Sequence, residues 1–166
     1  MAIGVYPGSF DPLTIAHLGI ARAAVAQLEL ERVDLALSHR TLGKARLDPS
    51  GVERRLDTLR EQLDGFPDLG VVVVRAELIV DVAYGYDVVV MGADKWVQVN
   101  DPVWYGGDPA ARDHAVSALP RVAVAPRSGL SVPPGLLLSV PAELADVSST
   151  AVRAGRTEWA VEPPRS

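Results

Sequence analysis

Cysteine does not occur in this 166-residue chain, which excludes disulfides, thiolate nucleophiles and cysteine-ligated metals. Aromatic residues are scarce, at 5% against 48% apolar overall. A core must therefore be built from Val, Leu, Ile and Ala, as in a sheet covered on both faces. Excess basic charge is also missing. The formal net charge of −5 argues against a large nucleic-acid footprint, which needs a basic face. It does not argue against a single nucleotide, for which backbone N–H groups, a helix start and a few cations suffice. No apolar run approaches a membrane span, and the first residues lack a basic stretch followed by an apolar one. The expectation is one cytoplasmic domain over residues 1–161 with a loose tail at 162–166, no membrane or nucleic-acid partner, and a homo-oligomer left open.

What is present alternates. Ala2–Tyr6 reads as a buried strand, followed by a breaker-rich loop from Pro7 to Pro12. A helix is expected from Thr14 to Leu28, with Leu18, Ala21, Val25 and Leu28 on one face. Arg32–Ser38 alternates as a second strand, and residues 39–49 are polar, cationic and aperiodic. Ser50 and Glu53 match a capping box, which predicts a helix start at Ser50 with Val52, Leu56, Leu59 and Leu63 buried. Further strands are expected at Val71–Val74, Asp87–Met91, Arg121–Ala125 and Leu136–Val140. Helices are expected at Leu78–Tyr84, at Asp108–Leu119 with Pro109 in first position, and at Ser148–Gly155. Lys95–Gly107 reads as a functional loop or broken helix. This alternation points to an α/β fold: a single Rossmann-like, doubly wound parallel sheet with helices on both faces.

Open sheets of this kind bind ligands beyond the carboxyl ends of their strands, where strand turns into helix. At the first such turn Gly8 permits close backbone approach, and the helix start offers unpaired N–H groups to an anion. Thr14 and His17 lie one turn apart, so a hydroxyl and an imidazole share one side. Taken singly, these features also suit an ordinary turn, a helix cap and a satisfied histidine.

Two segments together carry more. Gly8-Ser9-Phe10-Asp11-Pro12-Leu13-Thr14-Ile15-Ala16-His17 resembles the G-[ST]-F-D-P-x-[HT]-x-G-H signature of the nucleotidylyltransferase superfamily, with Ala16 in place of the usual Gly. Val147-Ser148-Ser149-Thr150-Ala151-Val152-Arg153 resembles its second signature, I-S-S-T-x-[IV]-R. Gly92-Ala93-Asp94 and Ala125-Pro126-Arg127 resemble segments of its nicotinate-nucleotide adenylyltransferases, whereas Thr14 matches phosphopantetheine adenylyltransferases.

The resemblance implies that His17 stabilises charge on a transferred phosphoryl group, with Thr14 and Lys44 as the other catalytic candidates. It implies nucleotide contacts at Gly8, Ser9, Phe10, His17, Gly92, Asp94, Arg127, Ser148, Ser149, Thr150 and Arg153. Acceptor contacts would come from Ser9, Lys44, Arg46, Trp96 and Trp104, the two Trp rings by stacking. The implied reaction moves the adenylyl group of ATP to a phosphate-bearing acceptor and releases pyrophosphate. A nicotinate or nicotinamide mononucleotide is the first expected acceptor and 4′-phosphopantetheine the second. Cytidylyl transfer and a nucleotide-binding relative without turnover are the other readings. Transfer between two phosphates is in-line displacement, so positioning and charge neutralisation suffice and no covalent nucleophile is needed. Mg²⁺ is expected to bridge triphosphate oxygens without a dedicated protein cage.

Overall fold

The computed structural model describes residues 1–38 and 49–162. Five parallel strands form one sheet: β1 (Ile3–Gly8), β2 (Arg32–Ser38), β3 (Leu69–Val74), β4 (Val88–Gly92) and β5 (Arg121–Ala125). Their spatial order is β3-β2-β1-β4-β5. The chain winds outward from β1 in one direction and then, from β4, in the other. The crevice between the carboxyl ends of β1 and β4 is therefore the switch point of the sheet.

Alternation along the strands explains why both faces are covered. Tyr6, Val33, Leu35, Leu37, Val88, Val90 and Ala123 join one buried cluster with Ala21, Ala24, Val52 and Leu59. Their neighbours Val5, Ala36, Val89, Met91 and Val124 join the opposite cluster with Ile79, Val82 and Val99. Successive residues of one strand thus feed opposite layers. Helices α1 (Ile15–Gln27) and α2 (Pro49–Gln62) back the first cluster, and α3 (Ile79–Val82) and α4 (Ala93–Val99) the second. Helix α5 (Pro109–Ser117) is capped by Asp108, which accepts from the Ala110 N–H at 2.9 Å, with Pro109 in first position. Helix α6 (Ser149–Arg153) completes the set. No helix among the described residues is long and apolar enough to cross a membrane.

The fold departs from the sequence reading in three places, at β1, Leu136–Val140 and Ser50, and bears it out at Lys95–Gly107. Strand β1 runs on to Gly8, pairing Pro7 with Ala36 and Gly8 with Leu37. Its pairing with β4 stops at Val5, so Pro7 lies past the two-sided part of the strand, where a missing N–H is tolerated. Leu136–Val140 is not a strand. A 3₁₀ turn occupies Pro134–Leu136, and a single parallel bridge joins Leu137 to Val124. The flanking Pro133, Pro134 and Pro141 cannot donate, so the ladder does not extend. Ser50 lies inside α2, which begins at Pro49, a residue whose fixed φ suits a first helical position. Lys95–Gly107 is a broken helix: α4, then a 3₁₀ turn at Pro102–Tyr105 that Gly106 ends at φ +68°. The tail at 163–166 falls outside the described residues.

Leu35, fully buried on β2, tests the core. Leu35→Ala should destabilise the protein by about 2–5 kcal/mol through lost burial and a residual cavity. Urea unfolding should show the shift in midpoint with an unchanged m-value.

Candidate functional site

The site is built where β1 gives way to α1. Thr14 is the N-cap, in extended conformation and completely buried. Its hydroxyl accepts from the His17 N–H at 3.3 Å, and its own N–H donates to His17 Nδ1 at 2.9 Å. This is a capping box with histidine where Glu or Gln usually stands. A backbone N–H can only donate, so Nδ1 is the acceptor and the neutral ring carries its proton on Nε2. One local motif thereby fixes both the orientation and the tautomer of His17.

Aromatic rings hold the imidazole from the other side. Phe10 lies 5.0 Å from it and Tyr6 6.0 Å, both edge-on, and Tyr6 meets Phe10 at 5.5 Å. Phe10 adopts φ +46°, a left-handed conformation costing a non-glycine residue roughly 1–2 kcal/mol. Burying its ring to 5% exposure returns about 1.5–3 kcal/mol, and edge contacts add about 0.5–1.5 kcal/mol each. Burial wins. It also explains Gly8, where a Cβ would stand 2.9 Å from the Phe10 ring. The sequence reading assigned that glycine to ligand approach; its missing Cβ also makes room for the protein's own phenylalanine.

Distant segments clamp the loop. Arg55 on α2 pairs with the Asp11 carboxylate at 2.7 Å and reaches the Ser9 carbonyl at 3.4 Å. Ser149 donates to the Pro12 carbonyl at 2.7 Å, and Arg153 donates to the Asp11 carbonyl and, at 3.2 Å, to the Thr150 hydroxyl. The Val161 N–H bonds the Leu13 carbonyl at 2.9 Å, and Gln62 holds the Val161 carbonyl at 2.6 Å. Sequence reasoning missed the clamping residues Arg55 and Gln62, whose signal is tertiary only.

A cavity of about 250 Å³ opens at this switch point. It is lined by Tyr6–Phe10 from β1 and its loop, Ala16 and His17 from α1, and Gly92, Asp94 and Lys95 from β4 and α4. Arg127 after β5 and Ser148, Ser149, Thr150 and Arg153 of the α6 start complete it. Every expected nucleotide contact therefore borders one cavity. Ala16 fits there with 4% exposure. Gly92 leaves room for the Asp94 carboxylate, whose oxygen would lie 2.8 Å from an added Cβ. Ser148 is also a helix cap, accepting from the Ala151 N–H at 3.0 Å, and Arg127 donates to the Val147 carbonyl at 3.2 Å. Burial, with Asp94 adding to it and Arg127 opposing it, holds the Tyr6 phenol well above the ordinary tyrosine range. Tyr6 and Lys95 were not read from the sequence as site residues.

Trp96 and Trp104 do not border this cavity. Trp96 is half-buried against the second core cluster, because an apolar helix face is the nearest place to remove its ring from water. Lys44 and Arg46, with neighbouring Arg40, lie outside the described residues. A small apolar cleft adjoins the main cavity, sharing Pro7, Gly8 and Lys95 with it and continuing to Ala36, Val74, Ile79 and Val82. Among the described residues no group of three His, Asp or Glu side chains gathers as a metal cage.

A family described as cytidylyltransferase-like matches residues 5–155 of this chain. A probable nicotinate-nucleotide adenylyltransferase of Bordetella petrii is 41% identical over 75 residues, covering 45% of this chain and 38% of that protein. A phosphopantetheine adenylyltransferase of Carboxydothermus hydrogenoformans is 42% identical over 69 residues, covering 42% of this chain and 40% of that protein. The chain thus matches about two fifths of the length of each of these curated relatives.

Gly8→Ala should push the Phe10 ring off its seat and loosen His17 with it. The expected cost is about 1–3 kcal/mol of stability, as for other overpacked sites. A lowered Tm together with a changed His17 imidazole NMR signal would register both effects.

Proposed function

This chain belongs to the cytidylyltransferase-like family, and on that premise we propose that it is an adenylyltransferase. It transfers the adenylyl group of ATP to a phosphate-bearing small acceptor and releases pyrophosphate. The observation that carries the reading is the Thr14 N–H to His17 Nδ1 bond at 2.9 Å. It makes His17 a fixed, neutral Nε2–H donor at the switch-point cavity.

In the proposed reaction an oxygen of the acceptor phosphate attacks the α-phosphorus of ATP in line, and the bond to pyrophosphate breaks. Charge gathers on the oxygens of the transferred group. His17 Nε2–H donates there, and the α1 N–H groups and dipole favour the same negative charge. Arg127 and Arg153 add cationic character at the cavity wall, and Asp94 accepts from ribose hydroxyls. Lys44 and Arg46 are proposed as phosphate contacts from the segment between β2 and α2. A divalent cation such as Mg²⁺, bound with the triphosphate and taking most ligands from it, would neutralise phosphate charge. Asp94 is the carboxylate nearest to hand for it among the cavity-lining residues.

A nicotinate or nicotinamide mononucleotide is the acceptor proposed first. Both segments that resemble the nicotinate type, Gly92–Asp94 and the one holding Arg127, border the cavity. The second reading, 4′-phosphopantetheine, is favoured by Thr14 and by the small apolar cleft beyond Gly8 and Lys95, which suits a slender flexible arm better than a flat ring. Pyrophosphate release, measured with ATP and CTP against both acceptors, tests the proposal. A higher kcat/KM for the mononucleotide with ATP is expected. The reverse order selects phosphopantetheine, a CTP preference selects cytidylyl transfer, and no release from any pair defeats the reading.

His17→Ala should lower kcat roughly 100- to 1,000-fold, the usual effect of removing one donor to developing charge, while circular dichroism stays unchanged. Folded variant protein with near-parental kcat would remove His17 from the mechanism.

A further inference from the structure

Tyr6 stands in the middle strand of the sheet, two residues before Gly8. Its ring is part of the first core cluster and only 6% exposed. Its ring edges are spoken for by Phe10 and His17, but its hydroxyl is not. No hydrogen bond to that hydroxyl occurs among the described residues. No fully enclosed side-chain polar atom among the described residues lacks a partner. The hydroxyl must therefore keep an opening to the cavity that Tyr6 lines.

Such a group is costly to leave without a partner. A tyrosine ring in this place could have been phenylalanine at no loss to the core. Because its environment opposes ionisation, the phenol stays protonated at neutral pH and acts as a donor. The acceptor that best matches a neutral donor beside His17, at a helix start, is an anionic oxygen.

We propose that the Tyr6 hydroxyl is a ligand-binding group, donating a hydrogen bond to a phosphoryl oxygen held next to His17. The identification of that oxygen as a substrate's rests on the adenylyl-transfer reading. It belongs either to the triphosphate or to the acceptor's phosphate.

Tyr6→Phe keeps the ring and its edge contacts, so the fold is expected to persist. Isothermal titration of the whole chain should compare the parent and variant with pyrophosphate, Mg²⁺-ATP, nicotinate mononucleotide and 4′-phosphopantetheine. The variant should bind one phosphate source roughly 10- to 100-fold more weakly, as for other hydrogen bonds to charged groups. Its ligand-free Tm should not fall. Weaker pyrophosphate and ATP binding places the oxygen on the triphosphate, and weaker acceptor binding alone places it on the acceptor. Unchanged affinity for all four would overturn the proposal. So would a clear fall in ligand-free Tm, which would show that the hydroxyl serves the fold. Parent protein that binds pyrophosphate but no nucleotide would defeat the adenylyl-transfer reading and leave the Tyr6 comparison standing. Parent protein that binds none of the four would overturn both.

Discussion

The hydrogen bond from the Thr14 backbone to His17 Nδ1 is the constraint on which the site depends. It satisfies a donor that a helix start otherwise leaves without a partner. It also removes a degree of freedom from the imidazole of His17, which borders the cavity. A Glu at the same capping position would stabilise the helix as well, but it would turn a negative charge towards the cavity. Histidine performs the structural task with Nδ1 and adds no carboxylate to the cavity wall.

That bond holds its geometry only because the loop before it is immobilised from several directions. No single clamp is strong. The Asp11–Arg55 pair has side chains 49% and 26% exposed, and such a pair contributes at most about 1 kcal/mol. Hydrogen bonds like those from Ser149 and Val161 are worth about 0.5–1.5 kcal/mol each. Their strength lies in origin rather than size. They arrive from α2, α6 and the segment after it, so the loop cannot shift without disturbing three remote elements. Burial of Phe10 then offsets its backbone strain and fills the space beside Gly8. The outcome is a preorganised cavity wall in which the second signature segment secures the first as well as bordering the cavity.

Much of this was legible in the residues. Strand alternation at Arg32–Ser38, the cap at Asp108–Pro109 and the one-turn spacing of Thr14 and His17 are local features, and local rules described them correctly. What the residues did not show was of a different kind. Leu136–Val140 has the apolar content of a strand, but its flanking prolines leave only one bridge. Trp96 and Trp104 were placed by their position after β4, whereas Trp96 on α4 packs against the second core cluster and neither borders the cavity. Gly8 borders the cavity as expected, but sequence cannot show that Phe10 also folds back against it.

The sequence by itself determined the layered α/β fold, the family and the set of side chains available for chemistry. Those follow from periodicities and short motifs whose partners lie within one turn or one strand. Tertiary structure alone decided that β1 and β4 meet at the switch point and that the α6 start reaches back to the loop at Asp11 and Pro12. It also decided that the Tyr6 hydroxyl opens into the cavity while the Trp rings do not. Such facts depend on contacts between residues far apart in the chain, and these become fixed only when two apolar layers close on one sheet.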